Sequence, residues 1–160
     1  MASDPSGAGS VEHDLRRAMH AALAGGTAVV LATVSPRGIP ATALCTWVVA
    51  IGTRTIAIAL DHRSSAYINI SAGSPLVAFE ILADDLVIAA RGIATIRLPL
   101  LKSAPFPCGG VAVDIDEIRD HSVKGIRFHA PTYMFDEDKL YRRDVERAIF
   151  AELAALGSAG

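Results

Sequence analysis

The run IPATALCTWVVAI, Ile39 to Ile51, decides how this chain folds. Its odd positions are Ile39, Ala41, Ala43, Cys45, Trp47, Val49 and Ile51, all apolar; its even positions include Thr42 and Thr46. Successive side chains of a strand point to opposite faces. The run therefore predicts one long strand with a core face and a face that carries hydroxyls. Before it, TAVVLATV (Thr27–Val34) is rich in β-branched residues and predicts a strand, joined through SPRG, a turn with proline at its second position. After it, Gly52-Thr53-Arg54 turns the chain into a third strand, Thr55–Leu60.

Further out, a short helix is expected from Ser64 or Ser65 to Ser71. LVAFEIL, the turn ADD and LVIAARGIATIRL follow as strand, turn and strand, with Gly92 marking a bend or a close approach. PLLKSAPFPCGG is an irregular connection rich in proline and glycine. VAVDIDEI alternates apolar and acidic residues, which suits a strand with one wet face. RDHSVKGIRFHAPTYMF carries no readable period. A helix over Val11–Ala24 is expected at one end, capped by Ser10 and stopped by Gly25-Gly26. At the other end Asp136 is expected to start a helix over Glu137–Leu156, with an apolar stripe of Leu140, Val145, Ile149, Leu153 and Leu156.

Turns of hairpin length make the sheet mostly antiparallel. Six strands of near-continuous apolar content favour a barrel, because closure removes edges. The class is α+β: a mostly antiparallel, six-stranded small barrel with flanking helices. The length of 160 residues suits one domain, taken as residues 11–160. Residues 1–10, MASDPSGAGS, read as a disordered leader without the charged and apolar regions of a signal peptide.

Composition excludes several classes. The formal charge of -2 shows no basic excess for nucleic acid. Apolar runs stop well short of the roughly 20 residues of a membrane helix. Cys45 and Cys108 lie far apart and read as free buried thiols of a cytoplasmic protein. His121 and His129 match no zinc spacing, so no metal site is expected. No G-x-S-x-G nucleophile motif occurs.

One polar knot interrupts the apolar chain: Asp61, His62, Arg63, Ser64 and Ser65, within IALDHRSSAYINI. A helix N-terminus presents unpaired N–H groups and a partial positive charge, so it accepts an anion. Arg63 adds a planar bidentate donor for phosphate, the serines add hydroxyls, and His62 can stack on or bond to a ring. Against this stands a plainer reading. Ser64 is a good N-cap with or without a ligand, Asp61 and Arg63 can form a surface ion pair, and Asn69 suits a helix surface.

The ordered set Gly38-Ile39-Pro40, Ser64, Asn69-Ile70, Ser74-Pro75 and Gly92-Ile93-Ala94, over about residues 27–98, resembles the pyridoxamine 5'-phosphate oxidase-like split-barrel flavoproteins. The resemblance implies a split barrel and a homodimer binding FMN, or in some branches F420 or haem, between subunits. It implies a cofactor set of Thr42, Leu44, Cys45 and Thr46 on the flavin-lining strand with Asp61, His62, Arg63, Ser64, Ser65 and Asn69 after the third strand. Arg127, His129 and Tyr133 stand as candidates to reach the partner's ligand. Two positions depart from the family pattern. Leu60 stands where threonine is frequent and Ala66 where lysine is frequent, two residues that hold the phosphate in the family and are lost here. The function implied is an FMN-binding oxidoreductase acting on a small molecule, with no acid or base beyond His62. The alternative is a non-catalytic flavin, F420 or haem carrier.

Overall fold

The computed structural model describes residues 5–158. Helix α1 (Pro5–Ala22) precedes strands β1 (Val29–Val34), β2 (Pro40–Cys45), β3 (Val48–Ala50) and β4 (Thr55–Asp61). Helix α2 (Ser65–Ala72), strands β5 (Leu76–Ala83), β6 (Leu86–Leu98) and β7 (Cys108–Asp120), and helix α3 (Arg142–Ala154) follow. The strands make one sheet of seven in the order β2-β1-β5-β6-β7-β4-β3, antiparallel throughout.

There are seven strands rather than six because Ile39–Ile51 is not one strand. It breaks at Thr46-Trp47. β2 pairs with β1, Val30 opposite Leu44, whereas β3 pairs with β4, Val48 opposite Ile58. These are the two edges of the sheet. The sheet has curled until two residues of chain bridge its edges, which makes it a half-barrel. The alternation also changes phase at the break. Cys45 faces the main core, with Ala43 packed against it, but beyond the joint it is Val48 that does so. Val49 turns to a second cluster, against which Trp47 and Ile51 pack. An apolar odd-position pattern thus continues through a joint that reverses its meaning.

β4 is buried on both faces. Ile56, Ile58 and Leu60 enter the main core, and Ala57 and Ala59 enter the second cluster with Ile149 and Leu153 of α3. Small alanines on the outer side let α3 lie close. Met19 and Leu23 from α1 and its C-terminal end pack into the main core. Buried Arg16 is held by Glu12 and donates to the Ile115 carbonyl at 3.3 Å.

The termini differ from expectation. α1 begins at Pro5, so residues 5–10 are helical, and Ser10 lies inside the helix instead of capping it. Residues 1–4 lie outside the described residues. Pro5 suits the first position, where a missing N–H removes no helical bond. At the other end Glu137–Lys139 is a single 3-10 turn and Asp136 makes no side-chain cap. Leu140 stays 44% exposed, leaving Val145, Ile149, Leu153 and Leu156 as the packed stripe.

Gly92 fills the role expected of it. A Cβ there would fall 2.0 Å from the Asp114 carbonyl oxygen, where the β6–β7 register shifts. Residues 121–136 form an irregular strap. It is tied to the β5–β6 turn by Asp85 N donating to Phe128 O (2.9 Å) and Ala130 N donating to Asp84 Oδ1 (2.8 Å). Among the described residues no helix is long and apolar enough to cross a membrane.

Candidate functional site

The polar stretch after β4 folds back on itself. Ser64 takes an extended conformation and caps α2: its Oγ accepts from Tyr67 N at 3.1 Å and donates to the Asp61 carbonyl at 2.7 Å. The Asp61 carboxylate accepts from Arg63 three times, from N at 2.8 Å, Nη2 at 2.7 Å and Nε at 3.1 Å. Those Arg63 hydrogen bonds bring the Asp61 carboxyl down to about 2. Arg63 remains 80% exposed and sits 5.9 Å from the Phe106 ring centroid. His62 turns away, its Nε2 2.8 Å from the Pro99 carbonyl oxygen and its ring stacked on Tyr67 at 4.5 Å.

Between this knot and the β2–β3 joint lies a cavity of about 300 Å³. Five of the ten expected residues line it: Leu44, Cys45, Thr46, Asp61 and Ser64. The other five do not. Thr42 is on the outer face of the sheet opposite Ala32. His62, Arg63 and Ser65 lie outside the lining. Asn69 is not on a helix surface: it is 5% exposed and donates from Nδ2 to Thr33 Oγ1 at 2.9 Å, tying α2 to β1.

Leu60 and Ala66 both face this cavity. The floor beside the helix N-terminus is therefore apolar where the resemblance expects hydroxyl and ammonium. What remains for an anion is the first N–H groups of α2, those of Ser65 and Ala66, which a helix leaves unpaired. Burial pushes the Cys45 and Cys108 thiols up to about 11, so both are neutral thiols and poor nucleophiles near neutral pH.

Two lining residues escaped the sequence reading. Trp47 and Phe106 stack at 5.7 Å with 25° between planes, and both line the cavity. Alternation placed Trp47 on the same side as Cys45, and the phase change at the joint turns it to the opposite side, against the second cluster. Phe106 sits between two prolines in a connection without periodicity, so its presence in APFPC was the sole signal. Trp47 and Phe106, with Thr46, also border a second cavity of about 370 Å³, formed with the strap and the start of α3.

The outer face of the sheet carries exposed apolar side chains on three strands, with Glu80 and Arg91 among them. Leu44 stands opposite Val30, Val30 opposite Glu80 and Glu80 opposite Ala89; Ala32 stands opposite Ala78, and Leu76 opposite Ile93. Leu44 on β2 and the paired Leu76 and Ile93 on β5 and β6 are 71%, 60% and 48% exposed on this face.

No protein-family model and no curated protein sequence matches the chain. Solved structures do. An FMN-binding protein from Syntrophomonas wolfei subsp. wolfei superposes with a TM-score of 0.55 at 17% identity, over 71% of this chain and 88% of that one. An F420 reductase gives 0.53 at 17% identity, over 62% and 94%. HutZ, the haem storage protein from Vibrio cholerae, gives 0.51 at 10% identity, over 66% and 94%. The chain shares their fold, that of the pyridoxamine 5'-phosphate oxidase-like split barrels.

Proposed function

We propose that this chain is an oxidoreductase that binds FMN in the cavity between the β2–β3 joint and α2, as a cytoplasmic homodimer, and acts on a small organic molecule. The observation that carries the reading is the cavity itself. It sets a stacked indole and phenyl ring beside the N-terminus of a helix, so a planar ring and an anionic tail can be held together. When bound, FMN supplies hydride and electron transfer. The chain supplies the seat. Leu44, Cys45, Thr46 and Trp47 border the ring, and Ser65 and Ala66 N–H point toward the phosphate. Arg63 adds charge once it leaves Asp61. The exposed Leu44, Leu76 and Ile93 on the outer face of the sheet support a second copy covering it, with Thr42 at that contact.

A second reading is a non-catalytic carrier of a flavin, F420 or haem. Leu60 and Ala66 favour it, since they leave the anion with backbone donors and a cation already neutralised by Asp61. Haem is the least suited of the three. Among the described residues no histidine borders the cavity, and Cys45 holds its proton too firmly to be a ready thiolate ligand.

Mass spectrometry of small molecules released from freshly purified protein tests the proposal, followed by FMN titration of stripped protein. Released FMN, saturable rebinding and reduction of the bound flavin by a pyridine nucleotide with turnover are expected. Bound flavin that no donor reduces would leave the carrier reading. Absence of binding at millimolar FMN would overturn both.

A further inference from the structure

The second cavity, about 370 Å³, is walled by aromatic rings from four separate parts of the chain. Trp47 comes from the β2–β3 joint, Phe106 from the β6–β7 connection, Tyr133 and Phe135 from the strap, and Tyr141 from the residue before α3. Tyr133 and Phe135 meet edge to face at 6.0 Å and 84°. Slots of this kind select flat rings, which gain from stacking beyond the area they bury. The volume lies in the range of small-molecule sites.

The polar groups narrow the class. Tyr133 Oη donates to Glu146 Oε1 at 2.7 Å, which fixes the carboxylate at the cavity wall. Among the described residues Oε2 of Glu146 accepts nothing, so it is a free acceptor awaiting a donor. Arg142 lines the same cavity and brings a positive charge to it, so the ligand need not be a cation. Thr46, Trp47 and Phe106 belong to both cavities, so a ligand here lies beside whatever occupies the first.

We propose that this cavity binds a planar aromatic molecule bearing a phenolic or aromatic N–H donor, held by stacking and by Glu146. Its role as the substrate seat rests on the FMN reading above, whereas the binding itself does not.

Trp47 is the single tryptophan of the chain and reads the site directly. Its emission is followed while 2-naphthol, or 2-methoxynaphthalene as the donor-less control, is titrated into the full chain with and without FMN. Flavin emission scores FMN binding separately. Saturable quenching by 2-naphthol is expected, with the methoxy control about tenfold weaker, as the loss of one hydrogen bond to a carboxylate implies. Glu146→Ala should erase that preference. Tyr141→Ala should weaken both probes without changing FMN affinity, since Tyr141, 60% exposed, can be truncated without emptying the core. Non-saturable quenching, equal affinity for the two probes, or a preference that survives Glu146→Ala in protein that still binds FMN would overturn this inference alone. Naphthol binding in this pattern without any FMN binding would uphold the site and remove its substrate role.

Discussion

The ring of Tyr67 lies on the bare backbone of Gly109: a Cβ at Gly109 would meet Tyr67 Cε2 at 2.4 Å. This contact seats α2 on β7, and the His62 ring stacks on the same tyrosine. The direction of the helix N-terminus thus depends on one missing side chain two strands from the joint.

Gly109→Ala should push Tyr67 outward and tilt α2. Overpacking of this kind costs about 1–3 kcal/mol. Urea unfolding should show a lower midpoint with an unchanged slope. A midpoint equal to wild type would mean the helix moves freely.

Asp61 should titrate far below an ordinary carboxyl. Its folded value is lowered from 3.8 to about 2, chiefly by the Arg63 hydrogen bonds. A depressed value favours the charged form, so its contribution to stability is complete above about pH 4 and is lost as pH falls toward 2. Carboxyl-carbon NMR should place the midpoint near 2, and Arg63→Ala should return it toward 3.8.

Asp61→Asn should tighten FMN binding, contrary to the usual effect of altering a lining residue. The substitution removes a carboxylate beside the phosphate end and releases the Arg63 guanidinium from its bidentate partner. Adding Arg63→Ala to it should cancel the gain. Flavin fluorescence titration distinguishes the two, and weaker binding by Asp61→Asn alone would place the phosphate elsewhere.

Ala66→Lys should strengthen FMN binding by about tenfold, a charge-assisted hydrogen bond replacing an apolar wall. The gain should shrink as salt rises, since an open cavity is screened. Unchanged affinity would show that the phosphate does not approach α2.

Asn69→Leu should damage folding rather than binding. It strands the buried Thr33 hydroxyl, at about 1–3 kcal/mol, and the double variant with Thr33→Val should recover part of the loss. Per-molecule FMN affinity should stay unchanged, because Asn69 does not border the cavity.

The sequence was most legible where local chemistry spoke alone. The β5–β6 hairpin, turned by Asp84 and Asp85, was bounded within a residue because breakers flank it on both sides. Ser64 was readable as a cap, since serine three residues before the first paired N–H is a local signal. The joint at Thr46-Trp47 was not readable. The odd positions stay apolar on both sides, because on β2 they face the main core and on β3 the second cluster, so periodicity cannot register the reversal. The partners of Asn69 and Phe106 lie 36 and 59 positions away in Thr33 and Trp47, and no local pattern encodes such a meeting.

A single stretch that hems both borders of a sheet tolerates no frame error. β1 pins the threading of β2 and β4 pins that of β3, so adding or deleting one residue within either half would turn that half inside out, and no slippage could repair it. Length can vary at the hinge between them. Insertions that enlarge the mouth of the barrel, whether drifted or engineered, belong between Thr46 and Trp47.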